Sequence, residues 1–201
     1  MKLLLATGNT HKIEEILAVF NIDGIDFVTL KEFEYLPGII EDRGTFAGNS
    51  AKKAVTLARA AGLLAMADDS GLEVSALDGN PGVHSARYAG THGDDAANNS
   101  KLLRELRDVA DRSARFCCAI TLATPDGEFG CVEGVCEGRI ALEPTGDNGF
   151  GYDPLFIPLG YEQSFAELGA DVKNRISHRA HALKKAHAAW SQKLTLGESP
   201  V

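Results

Sequence analysis

The sequence has no long apolar run, few cysteines and a shortage of positive charge, and each of these removes a class of answer. No stretch of the 201 residues approaches the ~18 consecutive apolar residues that span a bilayer, so no membrane partner is expected. The run Met1-Lys2-Leu3-Leu4-Leu5-Ala6 is too short for a signal peptide and leads into Thr7-Gly8-Asn9 without a cleavage-site pattern. The four cysteines, at 117, 118, 131 and 136, form no CxxC pair and no zinc-ligand spacing. They read as reduced thiols of a cytoplasmic protein rather than as a disulfide framework. Lys and Arg number 20 against 28 Asp and Glu, for a formal net charge of -8. Such a surface repels a phosphodiester backbone, which argues against a nucleic-acid polymer as partner. A small anionic ligand stays open, because it needs only a few well-placed cations. Repeats, low-complexity linkers and charge runs are also missing, so one compact unit is expected rather than two independent domains. With 44% hydrophobic residues the chain is long enough for a sizeable core.

What is there alternates between helical and extended patterns. Residues 2–6 read as a buried strand, residues 7–10 as a turn, and 12–20 as a helix with Ile13, Ile16, Leu17 and Phe20 at helical spacing. A second strand is expected at 25–30, a loop at 37–46, and an alanine-rich helix at 49–61 ended by Gly62. Residues 63–67 return as a strand that meets Asp68-Asp69-Ser70-Gly71, with a short extended piece at 74–77. Residues 78–95 are loop-rich and 98–106 helical. Strands at 114–123 and 128–136 flank the turn Pro125-Asp126-Gly127. A glycine-rich run at 146–154 precedes a strand at 155–157. Ser177 opens a last helix with Leu183, Ala186, Trp190 and Leu194 on one face, and 196–201 looks frayed. Intermixed helices and strands with one hairpin imply an α/β fold with a mixed sheet.

Four polar segments carry candidate chemistry. In Thr7-Gly8-Asn9-Thr10-His11-Lys12, a glycine where strand meets helix lets backbone N–H groups approach an anion, and Lys12 can meet a phosphate. The segment matches neither the P-loop nor the dinucleotide pattern and equally suits a plain strand–turn–helix. Asp68 and Asp69 follow an apolar strand, and adjacent carboxylates there are costly unless they face water, a cation or a donor. Strand alternation aims them differently, so one points into a site and the other braces the loop. Joined by Glu41 or Asp42, such a carboxylate suits Mg²⁺; a solvated Asx turn is the other reading.

The other two segments lie later in the chain. Gly149-Phe150-Gly151-Tyr152-Asp153-Pro154 sets aromatic rings between glycines, which suits stacking on a flat base or merely a tight turn. In Lys173-Asn174-Arg175-Ile176-Ser177-His178-Arg179, Ser177 as N-cap puts His178 and Arg179 in the first helical turn. Cations there oppose the helix dipole, a conflict that an acceptor ligand relieves; a solvated basic stretch is the alternative.

Taken in order, the segments resemble the inosine triphosphate pyrophosphatase family, enzymes acting on non-canonical purine nucleoside triphosphates. The resemblance runs through TGNxxK at 7–12, TFxxN at 45–49 with Lys53 following, ADDSGL at 67–72, PGxxSARYAG at 81–90, GFGYDP at 149–154 and SHR at 177–179. It implies an elongated mixed sheet with flanking helices in two lobes around a central nucleotide cleft, all within one domain. It further implies hydrolysis of ITP, dITP and XTP to the monophosphate and pyrophosphate, with Mg²⁺ as cofactor and a homodimer as the assembly. By motif position, Thr7, Gly8, Asn9, Thr10, His11 and Lys12 hold the triphosphate, with Asn49 and Lys53 assisting. Asp69 is the proton acceptor and a metal contact, with Glu41 as the second metal carboxylate. Ser70, Phe150, Gly151, Tyr152, Asp153 and Lys173 bind nucleotide, and His178 with Arg179 reads the base. Gly48 stands where many relatives carry an acidic residue.

Overall fold

Leu3, Leu4 and Leu5 are all fully buried, which a strand achieves only when both of its faces are covered. In the computed structural model, which describes residues 1–197, they lie in β1 (Lys2–Leu5). The chain continues through α1 (Thr10–Val19), β2 (Asp26–Thr29), α2 (Phe46–Ala61), β3 (Leu64–Val74), α3 (Asp95–Glu105), β4 (Ser113–Ala123), β5 (Phe129–Ile140), β6 (Phe156–Pro158), α4 (Phe165–Ile176) and α5 (His178–Leu196). One six-stranded sheet has the order β2-β1-β3-β4-β5-β6. β1 runs parallel to β2 and to β3, while β5 and β6 are antiparallel. The mixed α/β architecture expected from the residue pattern is the one observed.

The chain divides into two compact units, each assembled from separated segments. The first comprises Met1–Asp69, Cys118–Gly134 and the segment that starts at Arg179. Here alternation along the strands distributes side chains to two faces. Leu3, Leu5 and Met66 pack with Ile16 of α1, with Phe20 just after it, and with Leu183, Ala186, Trp190 and Leu194 of α5. Leu4, Ala6, Ala65 and Ala67 pack instead with Ala54, Leu57 and Ala58 of α2. Small residues on that second face let α2 approach closely. Thr45 caps α2 by accepting from Gly48 N at 3.0 Å, and Gly62 ends it in the left-handed region at φ 65°. The second unit comprises Ser70–Cys117 and Val135–His178. Its core gathers Leu72, Leu102, Leu106, Phe116, Tyr152, Phe156 and Phe165.

Several expectations need correction. The strand expected to stop at residue 67 runs on to Val74, so Asp68-Asp69-Ser70-Gly71 lies within β3 and is not a turn. The piece at 74–77 is not extended beyond Val74, since Ser75–Leu77 form a 3-10 turn. The strand begun near 128 extends to Ile140. Helix α4 was not foreseen, although Ser164 and Glu167 form a capping box at its start. Of the end expected to fray, Leu196 closes α5, and 198–201 lie outside the described residues. All four cysteines are free thiols, and burial pushes the Cys117 thiol up to about 12. Among the described residues no helix is long and apolar enough to cross a membrane.

Candidate active site

Burial excludes the solvated-turn reading of the two aspartates: Asp68 is 1% and Asp69 6% exposed. Because they are successive strand residues, they leave β3 on opposite faces. Asp68 follows the parity of Met66 and meets α1 and α5; Asp69 follows Ala67 and meets α2. Each aspartate therefore has its own direct contacts.

On the Asp68 side, Lys12 Nζ of α1 lies 3.1 Å from Oδ1. Arg179 of α5 donates to Oδ2 from Nε at 3.1 Å and from Nη2 at 2.9 Å. A further Arg179 donor bonds Glu15 of α1. Burial alone would raise the Asp68 pKa, but the Lys12 ammonium and the Arg179 guanidinium reverse that and hold the carboxyl well below the usual range. Two acids and two bases thus close a charge-balanced network. The conflict of Arg179 with the start of α5 is met here by the protein's own carboxylates.

On the Asp69 side, Asn49 Nδ2 donates to Oδ2 at 2.9 Å, while Asn49 Oδ1 accepts from Arg43 N at 2.9 Å. Lys53, four residues on along α2, places Nζ 3.6 Å from Asp69 Oδ1 and 2.5 Å from Glu41 Oε1. Burial raises the Asp69 pKa, Lys53 opposes the rise and Glu41 adds to it; the net direction is upward. The two neighbouring carboxylates are therefore driven apart in acidity. Asp42, the other candidate in the acidic loop, is exposed and is bound to Lys52 at 2.8 Å.

The glycine turn that opens the chain is built around Asn9, whose side chain caps α1 by accepting from Lys12 N at 3.2 Å, while Asn9 N donates to Thr7 Oγ1 at 3.2 Å. Gly8, Asn9, Thr10 and His11 are exposed at this helix start, and Lys12 is the member that reaches inward.

In the second unit the GFGYDP segment is held by a carboxylate. Asp153, 1% exposed, accepts from Phe150 N at 2.9 Å and from Lys173 Nζ of α4 at 2.5 Å. Gly149 has φ 81°, and a Cβ there would overlap the Asp153 carboxylate, so glycine is required. The Lys173 ammonium lies 4.4 Å from the centre of the Phe150 ring. Tyr152 is buried and donates from its hydroxyl to Ser85 O at 3.0 Å. His178 stacks on Phe116 with centroids 4.7 Å apart and planes 14° from parallel. Ser70 is half-buried on β3.

The first unit thus joins Glu41, Asn49 and Lys53 around Asp69 on one face of β3 and Lys12 and Arg179 around Asp68 on the other, and the second joins Phe150, Asp153 and Lys173. Sequence reasoning missed Glu15, whose only signal is its place three residues after Lys12 on α1. It also missed Asp95 and Asn99, which contact Gly151 from α3.

A family model matches residues 3–189 of this sequence. The chain belongs to the Ham1 family. Similarity within the Ham1 family is spread over most of the chain: a dITP/XTP pyrophosphatase from Desulforamulus reducens is 52% identical over 188 residues, which cover 92% of this chain and 94% of that protein. Among solved structures, a HAM1 protein from Coxiella burnetii superposes with a TM-score of 0.87 at 41% identity, covering 98% of this chain and 99% of that one. A nucleoside-triphosphatase / dITP/XTP pyrophosphatase from Mycobacterium abscessus gives a TM-score of 0.76 at 42% identity, covering 92% and 97%.

Proposed function

We propose that this Ham1-family chain hydrolyses ITP, dITP and XTP to the nucleoside monophosphate and pyrophosphate, by attack of water at the α-phosphorus. The observation that carries the reaction type is the Asp69 group: a buried carboxylate of raised pKa, fixed by Asn49 and flanked by Lys53 and Glu41. The names of the relatives carry the substrate class.

Asp69 Oδ1, the oxygen not used by Asn49, takes the proton of the attacking water. Its raised pKa makes it a better base than an exposed aspartate. Asn49 fixes the direction in which Asp69 presents that oxygen. Lys12 and Lys53 set positive charge where phosphate oxygens arrive, and the exposed turn at Gly8–His11 adds the positive end of α1. The donor set fits a divalent cation: Glu41 and Asp69 are hard oxygen ligands already gathered around one ammonium, and Mg²⁺ takes one or two carboxylates plus phosphate oxygens. When bound, Mg²⁺ supplies Lewis-acid withdrawal of charge from the phosphates.

Phe150 and Lys173 offer a charged aromatic platform for the nucleotide, with Asp153 holding both. His178 supplies a donor for the 6-carbonyl of hypoxanthine or xanthine. Arg179, the other residue assigned to the base, is bound to Asp68 and Glu15, so its part here is to fix the helix start from which His178 projects. Adenine carries an amino group at that position and leaves a buried donor unpaired, at a cost of roughly 1–3 kcal/mol.

Pyrophosphate release measured on ITP, dITP, XTP and ATP, with and without Mg²⁺, tests the reading. The first three are turned over at least about tenfold faster than ATP, and only with the cation. Equal rates on ITP and ATP would refute the base selection. A cytoplasmic homodimer belongs to the same reading, and light scattering checks the dimer.

A further inference from the structure

Gly151 sits between the two aromatic residues of the GFGYDP segment in a left-handed conformation at φ 63°. Both of its backbone polar groups are engaged by one helix. Asp95 Oδ2 accepts from Gly151 N at 2.7 Å, and Asn99 Nδ2 donates to Gly151 O at 2.8 Å. Asp95 and Asn99 are four residues apart on α3, so they share a face and grip the glycine from one side. Asp94, not Asp95, caps α3 by accepting from Ala97 N. The Asp95 carboxylate is thereby left for Gly151.

Helix α3 is itself anchored to the segment at 81–90. Asn98 Oδ1 accepts from Ala89 N at 2.7 Å, and Lys101 Nζ donates to Tyr88 O at 2.8 Å while lying 4.0 Å from the centre of the Tyr88 ring. Ser85 of the same segment accepts from Tyr152 through its carbonyl at 3.0 Å and from Leu72 N through its hydroxyl at 2.9 Å. The 81–90 segment therefore reaches the nucleotide loop twice, directly at Tyr152 and through α3 at Gly151.

From this geometry we infer that Asp95 and Asn99 are positioning residues: their grip on Gly151 fixes the backbone that presents Phe150, and so sets affinity for the purine nucleotide. The inference rests on the proposed nucleotide site and extends it to a helix that none of the six motifs includes. It assigns the 81–90 segment the work of framing that loop.

The test uses Asp95→Ala, Asn99→Ala and the conservative Asp95→Asn, whose amide oxygen still accepts from Gly151 N. Three readouts are taken: steady-state kinetics on ITP, calorimetric affinity for IMP, and hydrogen exchange at the Gly151 amide. Both alanine variants raise KM for ITP and weaken IMP by about tenfold, with kcat within about twofold of wild type, as removal of uniform binding requires. Asp95→Ala speeds exchange at Gly151, and Asp95→Asn restores affinity and protection. Wild-type KM and IMP affinity in both alanine variants of an ITP-active enzyme overturn the positioning role alone. A purely structural role is the result if all three variants lower the melting temperature while KM stays unchanged, and it too overturns the inference. A wild-type enzyme that neither hydrolyses ITP nor binds IMP overturns the functional reading, and this inference with it.

Discussion

Asp68 and Asp69 are neighbours in sequence, are both buried, and differ in almost every other respect. On one face of β3, Asp68 is tied by Lys12 and Arg179 and stays ionised far into acid. On the other, Asp69 has one neutral donor, one ammonium at longer range and a second carboxylate nearby, and its pKa rises. A carboxylate held by two cations braces the structure, whereas an under-compensated one is available for proton transfer. The pleat of a single strand therefore separates architecture from chemistry, as environments that push two acidities apart assign different roles elsewhere.

The largest expected effect falls on turnover at the second aspartate. Asp69→Asn lowers kcat for ITP by ~10²–10⁴-fold, while the melting temperature at pH 7 does not fall. The folded carboxyl has a pKa above its ordinary value of 3.8, so the native state holds that proton more tightly than the unfolded chain. Ionising Asp69 thus costs stability as pH rises through that window, and the amide removes the cost. Near-normal turnover with an intact fold would end the assignment of Asp69 as base.

Next comes stability on the opposite face. Arg179→Ala leaves Asp68 and Glu15 without their shared partner and costs about 3–5 kcal/mol, read from urea denaturation. A loss below ~1 kcal/mol would show that the network is not closed in solution.

The two aspartates change stability with pH in opposite directions, while activity follows the ionisation of Asp69. The kcat/KM for ITP climbs with pH and levels off above the raised Asp69 pKa. The Asp68 contribution to stability is complete well above its unfolded value of 3.8 and is lost progressively as pH falls past that value toward its lower folded one. Urea titrations of wild type and Asp68→Asn should therefore keep a constant difference from pH 7 down to about pH 5 and a shrinking one below it. A difference that grows as pH falls contradicts the direction of the shift.

The smallest effect sharpens the comparison by its absence. Asp42 is exposed and paired with Lys52, so Asp42→Asn leaves kcat/KM on ITP within about twofold. Glu41→Gln, which removes the acid beside Lys53, lowers it by more than about tenfold. Equal losses at both positions would dissolve the distinction between the two acids.

Much of this was legible in the residues alone. Apolar spacing located α2 and α5, and the Pro125-Asp126-Gly127 turn located the β4–β5 hairpin. The opposite orientation of the two aspartates followed from strand alternation. What was hidden depended on distant partners. Asp68 and Asp69 looked like the end of a strand because two charges do not ordinarily extend one. They do so here because Lys12, Arg179 and Lys53 arrive from three helices, and no local pattern announces that. Helix α4 escaped because Gly169, at φ 76° and ψ 176°, breaks its periodicity, although the Ser164–Glu167 capping box marked its start. Asn99 likewise reads as an ordinary surface amide until Gly151 is brought to it.

The first compact unit draws its strands and helices from three separated stretches, the last beginning at Arg179. During synthesis, the chain through β3 emerges carrying Asp68 long before α5 exists. Until then that acid has no guanidinium and its site stays hydrated, so burial of β3 waits for the final helix to leave the ribosome. A nascent chain stalled ahead of Arg179 should remain open to protease, whereas the released chain with α5 complete should close.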